Sequence, residues 1–225
     1  MTALIRFTLL LLLFAGLPGG PLAAQAWQGA PEILNPGAGK DFIFGFVFED
    51  ANENSRFDAG ETGVPGVLVT NGFEWTKTDS TGYYELPVHA DMNLSVVQPS
   101  GWRVPVDHRM VPQFFYIHKE GGTGYPLRYG GLPDTGPAPE QVNFPLNRQG
   151  ASGLDFSCAI VGDPQAYSNE QISFLRDGVF ADIIAAPFAP GDCMIQMGDV
   201  VGDDLDLLER HLELSAMTGL KQWLV

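Results

Sequence analysis

Hydrophobic positions follow a strand pattern along the first two thirds of the chain. Phe42-Ile43-Phe44-Gly45-Phe46-Val47-Phe48 is aromatic and β-branched, and 64–69 is a second short apolar run. Residues 76–78 lead through the turn cluster Asp79-Ser80-Thr81-Gly82 into Tyr83-Tyr84-Glu85-Leu86-Pro87, and 93–97 reads as a further strand. An edge strand is expected at 110–117. Short strands separated by turn residues predict an antiparallel β-sandwich over 41–119. Residues 27–40 form a polar lead-in, and the Gly- and Pro-rich stretch 120–150 predicts a loop and linker.

The pattern changes at Asp155. Residues 156–161 are continuously apolar, as in a strand buried on both faces. Ser168-Asn169-Glu170-Gln171 is a capping box, followed at helical spacing by Ile172, Leu175, Val179 and Ile183. A second strand is predicted at 194–197. Leu205, Leu208, Leu212 and Ala216 mark a second amphipathic helix, ended by Gly219, and 222–225 begins a third strand. This β-α-β-α-β order is the opening of an α/β sheet over 151–225. Roughly 70 residues are too few to cover both faces of a doubly wound sheet, so a partial, truncated domain is expected. The chain is thus read as multi-domain.

Composition adds compartment and partners. Met1 to Ala26 joins one basic residue, a short apolar run and a Gly/Pro/Ala-rich end, the pattern of a secretory signal. Export to the periplasm or the extracellular space is expected, with no membrane span once 1–26 is cleaved. The net charge of −15 repels phosphate backbones, so no nucleic-acid partner is expected. Cys158 and Cys193 could pair in an oxidising compartment, but each lies near a buried strand, and packing as small hydrophobes is favoured.

Two places carry metal chemistry. Asp50, Asn52, Asn54, Asp58 and Glu61 occupy positions 1, 3, 5, 9 and 12 of a twelve-residue loop, with Arg56 at position 7 offering its carbonyl. That spacing suits calcium, although Ser55 stands where glycine is wanted, and a solvated acidic loop is the plain alternative. Asp163 and Asp199 each follow a glycine and close a predicted strand. Both therefore fall at the carboxyl edge of an α/β sheet, where ligands bind, and two carboxylates there repel unless a cation lies between. Turn closure or helix capping is the structural alternative. Asp203 and Asp204 are expected to cap the following helix. His89, His108, His118 and His211 are expected to be solvated or satisfied, His211 on an exposed helix face.

Gly45-Phe46-Val47-Phe48-Glu49-Asp50, Asp58-Ala59-Gly60-Glu61, Gly63-Val64-Pro65-Gly66-Val67 and Thr78-Asp79-Ser80-Thr81-Gly82-Tyr83-Tyr84 carry a resemblance. The stretch resembles the calcium-associated (surface-protein-B-like) β-sandwich repeats of bacterial surface proteins. It also resembles the transthyretin-like domain that precedes some calcineurin-like metallophosphoesterases. Val161-Gly162-Asp163-Pro164-Gln165 and Met197-Gly198-Asp199-Val200-Val201-Gly202-Asp203-Asp204 are similar to the first two metal-binding motifs of that superfamily. The resemblance implies two divalent transition metals (Mn, Fe or Zn), with Asp163 on the first and Asp199 bridging both. Gln165, where most members have histidine, would be a weaker neutral ligand. It implies hydrolysis of a phosphate ester, a small molecule or a cell-envelope substrate. The family's Gly-Asn-His motif is missing from the sequence, so an inactive fragment is expected and no catalytic residue is assigned. The rival reading is a non-catalytic, calcium-stabilised surface or interaction module.

Overall fold

The computed structural model describes residues 26–149, 156–189 and 191–225. Apart from Ala26, the expected signal at 1–26 lies outside the described residues. Among them, no helix is long and apolar enough to cross a membrane. The chain is mostly β-sheet with few helices.

The N-terminal part is a pair of sheets. The first has the order β1 (Glu32–Leu34), β9 (Gln141–Arg148), β2 (Phe42–Glu49), β5 (Tyr83–Pro87), with β7 (Trp102–Arg103) also on β9. The second runs β4 (Trp75–Lys77), β3 (Leu68–Thr70), β6 (Asp91–Val96), β8 (Phe115–Lys119). Alternation along the strands sends Ile43, Val47, Val69, Tyr84, Leu94, Phe144 and Leu146 into one shared core. Full burial of each such side chain is worth about 1.5–3 kcal/mol. Gly45 has a steric reason. A Cβ there would lie 1.8 Å from the Val142 carbonyl oxygen, which also accepts the buried Tyr84 hydroxyl at 2.6 Å.

The stretch 141–148 differs from the expected linker. It is β9, a central strand, parallel to β2 and antiparallel to β1, so the first sheet is mixed. Pro145 and two asparagines hide it, because proline lacks a ladder donor and polar residues break the alternation. The asparagines bond across the sheet instead. Asn143 accepts from the Phe46 amide at 2.9 Å and donates to Glu32 at 2.8 Å, while Asn147 donates to the Asp50 carbonyl at 2.8 Å.

The C-terminal part is a parallel sheet of β10 (Cys158–Gly162), β11 (Cys193–Met197) and β12 (Lys221–Leu224). Its helices are α1 (Asn169–Leu175), α2 (Ala181–Ala185) and α3 (Leu207–Ala216). Ser168 caps α1 by accepting from the Gln171 amide at 3.3 Å, and Gln171 reaches back to the Tyr167 amide at 2.6 Å. A π-turn, Arg176–Phe180, joins α1 to α2. Its extra residue shifts the helical phase, burying Phe180 and leaving Val179 exposed. Phe180, Val161, Met194 and Leu220 form a core on one side of the sheet. On the other side Ile160 is 58% exposed, so among the described residues the strand expected to be buried on both faces is fully covered on one only.

Two further expectations are corrected. Cys158 and Cys193 face each other across β10 and β11 with Cα atoms 4.4 Å apart, and they form a disulfide rather than packing as free thiols. A thiol reagent applied to the unreduced, denatured protein should find no thiol, and two after reduction. Two thiols before reduction would contradict the bond. His211 is fully buried, not exposed. The reason is that α3 starts at Leu207 and turns Leu207, His211, Leu212 and Ser215 inward.

The two parts touch along the outer edge of β12. The Gln222 amide donates to the Met110 carbonyl at 3.0 Å, Arg109 pairs with Glu209 at 2.9 Å, and Phe114 packs on Trp223 with ring centroids 5.5 Å apart. An unpaired strand edge is a liability in water, and the Met110 carbonyl takes up one amide of this one.

Candidate metal-binding sites

The loops leaving β10 and β11 run side by side beyond the strands. The Asp163 amide donates to the Met197 carbonyl at 3.0 Å, the Gln165 amide to the Asp199 carbonyl at 2.8 Å, and Ala166 bridges Val201 in parallel. Asp163 and Asp199 thus sit on adjacent strand ends, both exposed. Asp163 and Gln165 have left-handed backbones, with φ of 49° and 36°. Such conformations cost about 1–3 kcal/mol each and gather at ligand sites. The Gln165 side-chain amide donates to the Asp199 carboxylate at 2.8 Å. The three sequence-predicted residues therefore lie along one edge, with the Gln165 and Asp199 side chains in contact.

The donor set is incomplete for two cations. Two carboxylates and an amide are present, and the amide presents its N–H to Asp199. Among the described residues, no group of three or more His, Cys, Asp or Glu side chains is placed to hold a metal. The buried His211 adds nothing, since it lies behind β11 against Gln196.

The loop after β11 shows what sequence reasoning missed. Asp203 does not cap α3, whose N-cap is Asp206, while Asp204 accepts from the Asp206 amide at 3.1 Å. Asp203 instead accepts the Tyr129 hydroxyl and the Arg128 guanidinium, the latter at 3.2 Å. Its carboxylate pushes the Tyr129 hydroxyl above its ordinary pKa. Arg128 stacks on the Tyr129 ring with its guanidinium carbon 4.7 Å from the centroid. Tyr167 lies over Gly202, where a Cβ would come within 2.4 Å of its ring. Arg128 and Tyr129 belong to the stretch taken for a linker, and no local pattern marks them.

The loop from Asp50 to Glu61 is held by hydrogen bonds among its own residues, and it too lacks a group of three or more His, Cys, Asp or Glu side chains placed to hold a metal among the described residues. The Asp50 carboxylate is fully buried and accepts the Asn54 and Ser55 amides at 3.1 and 2.7 Å. Ser55 takes φ of 61° at the position where glycine is expected. Glu61 closes the loop on the Ala51 and Asp58 amides at 3.0 and 3.1 Å. Asn52 and Asn54 both direct Nδ2 at Asp58 Oδ2, at 3.0 and 2.8 Å, and hold its pKa below the usual carboxylate value. Arg56 donates its amide to Asn54 and keeps its side chain in solvent. The side chains carry the hard oxygens that calcium requires, but here those oxygens accept amides of the loop, and Asn52 and Asn54 turn their Nδ2 to Asp58.

Residues 51–126 match the family model described as the N-terminal domain of calcineurin-like phosphoesterases. The match covers about a third of the chain and includes most of the Asp50 loop and strands β3 to β8. No curated protein matches the chain.

Proposed function

We propose that this protein is an exported, metal-dependent phosphoesterase, its sandwich coming first and its phosphate-ester site at the carboxyl ends of β10 and β11. The observation that carries the reading is a conjunction. A sandwich similar to the N-terminal domain of calcineurin-like phosphoesterases is followed by a parallel sheet whose adjacent ends present Asp163 and Asp199. The described donors are short of a complete two-cation site, and Asp163, Asp199 and Gln165 are assigned as its partial ligand set. Divalent transition metals (Mn, Fe or Zn) are the cations proposed. Export is supported by the signal-like 1–26 stretch and by the disulfide, since such bonds persist in oxidising compartments.

The test is hydrolysis of p-nitrophenyl phosphate and bis(p-nitrophenyl) phosphate in Mn²⁺ by protein expressed from its own gene. Residues 1–225 alone, short of ligands, are expected to be inactive, and the full gene product to hydrolyse at least one of the two, falling at least about 100-fold in Asp199→Asn. No turnover of either ester by the full gene product would count against the reading.

The ordered Asp50 loop favours a second reading, a calcium-stabilised surface or interaction module without catalysis. Metal-independent folding of 156–225 together with no hydrolysis would select it.

A further inference from the structure

Resting on the phosphoesterase reading, we infer that Arg128 and Tyr129, carried on the segment between β8 and β9, are substrate-contacting residues that hold the phosphate group of the ester beside Asp163 and Asp199. One observation places them near that edge, and two more fit them to the task. Both contact Asp203, four residues past Asp199 on the same loop. The Arg128 side chain is 72% exposed, and its ion pair with Asp203 is to a carboxylate exposed to nearly the same degree. Such a pair is worth about 0–1 kcal/mol, so it yields readily to a better anion. The Tyr129 ring, 4.7 Å from the guanidinium carbon, narrows the positions open to the side chain, which spares ordering entropy when a two-pronged phosphate contact forms. Tyr167, over half exposed and packed on Gly202, continues the same rim.

Cations held by Asp163 and Asp199 would offset those two carboxylates, but a chain of net charge −15 offers a phosphate little further attraction. A guanidinium delivered from the sandwich side adds positive charge and directed donors without adding a ligand to the metal set. Asp203 is then its resting counter-ion, displaced by substrate.

This assignment separates cleanly from a merely structural ion pair. If Arg128 only tethers the loop, Arg128→Ala and Asp203→Asn should act alike. If it grips phosphate, the two act oppositely. Phenyl phosphate is titrated calorimetrically into the chain in saturating Mn²⁺, after Mn²⁺ alone has been titrated into each variant. Arg128→Ala is expected to weaken phenyl phosphate binding about tenfold, Arg128→Lys to restore part of it, and Asp203→Asn to tighten it a few-fold, with Mn²⁺ affinity unchanged in all three. Equal weakening in Arg128→Ala and Asp203→Asn, or no change in either, overturns the inference while wild-type binding lost in Asp199→Asn keeps the phosphoesterase reading. Absence of phenyl phosphate binding in the wild type sinks both.

Discussion

Gln222→Ala should lower the stability of the chain by about 3–4 kcal/mol, because it strands several buried polar groups at once. The Gln222 side chain is fully buried between α3, β11 and the sandwich. Its Oε1 accepts from Gln196 Nε2 at 2.6 Å and from Ser215 at 2.8 Å, while its Nε2 donates to the Arg109 carbonyl and, at 3.3 Å, to that of Leu212. Arg109 lies in the sandwich segment, so the substitution should also loosen the contact between the two parts. Thermal unfolding followed by circular dichroism measures the loss, and limited proteolysis near 107–114 measures the loosening. A drop below about 1 kcal/mol would mean the network contributes little.

His211 gives this network a pH dependence. Its Nε2 is bonded to Gln196 Oε1, leaving Nδ1 buried without a partner, and burial lowers its pKa to about 4. In the unfolded chain the imidazole takes a proton near its usual pKa of about 6.5. Between those values the unfolded state binds more protons, so stability is complete above about pH 6.5 and falls as pH drops toward 4. The loss attributable to this residue is up to about 3 kcal/mol. His211→Gln should flatten that limb of the pH profile, although the substitution itself costs stability at neutral pH.

Calcium at millimolar concentration is expected to raise the melting temperature, and EDTA to reverse the rise. At one hundred times the dissociation constant the gain is about 2.7 kcal/mol. Asp58→Asn should abolish the calcium shift while changing the ion-free protein little, since its side chain is exposed. Glu61→Gln should abolish the shift at some cost to the ion-free loop, because half-buried Glu61 accepts the Ala51 and Asp58 amides. Asp50→Ala should differ. Its carboxylate is buried on two backbone amides, so its removal costs about 2–4 kcal/mol with or without the ion. Identical melting in calcium and EDTA would remove the ion from the sandwich.

Much of the local structure was legible. Alternation at 42–48, the turn at Asp79-Ser80-Thr81-Gly82 and the Ser168 cap each encode their conformation within a few residues. The twelve-residue loop is of the same kind, because Asp50 reaches the amides of residues four and five further on. The candidate site was half legible. Strand-end position marked Asp163 and Asp199, since an apolar run followed by Gly-Asp fixes where a strand stops.

Sequence alone marked the strands at 42–48, 83–87 and 194–197, the capped helix start at Ser168 and the places where carboxylates cluster. These properties depend on neighbours a turn or two away. Only the tertiary structure decided that 141–148 joins the sandwich core, that Cys158 meets Cys193, that His211 turns inward, and that Arg128 and Tyr129 arrive beside Asp203. Each of those outcomes depends on residues distant along the chain: sheet order, strand register, helix phase and the course of a connecting segment. Periodicity is blind to such pairings, because their cause is the packing of surfaces that meet only once the chain has folded.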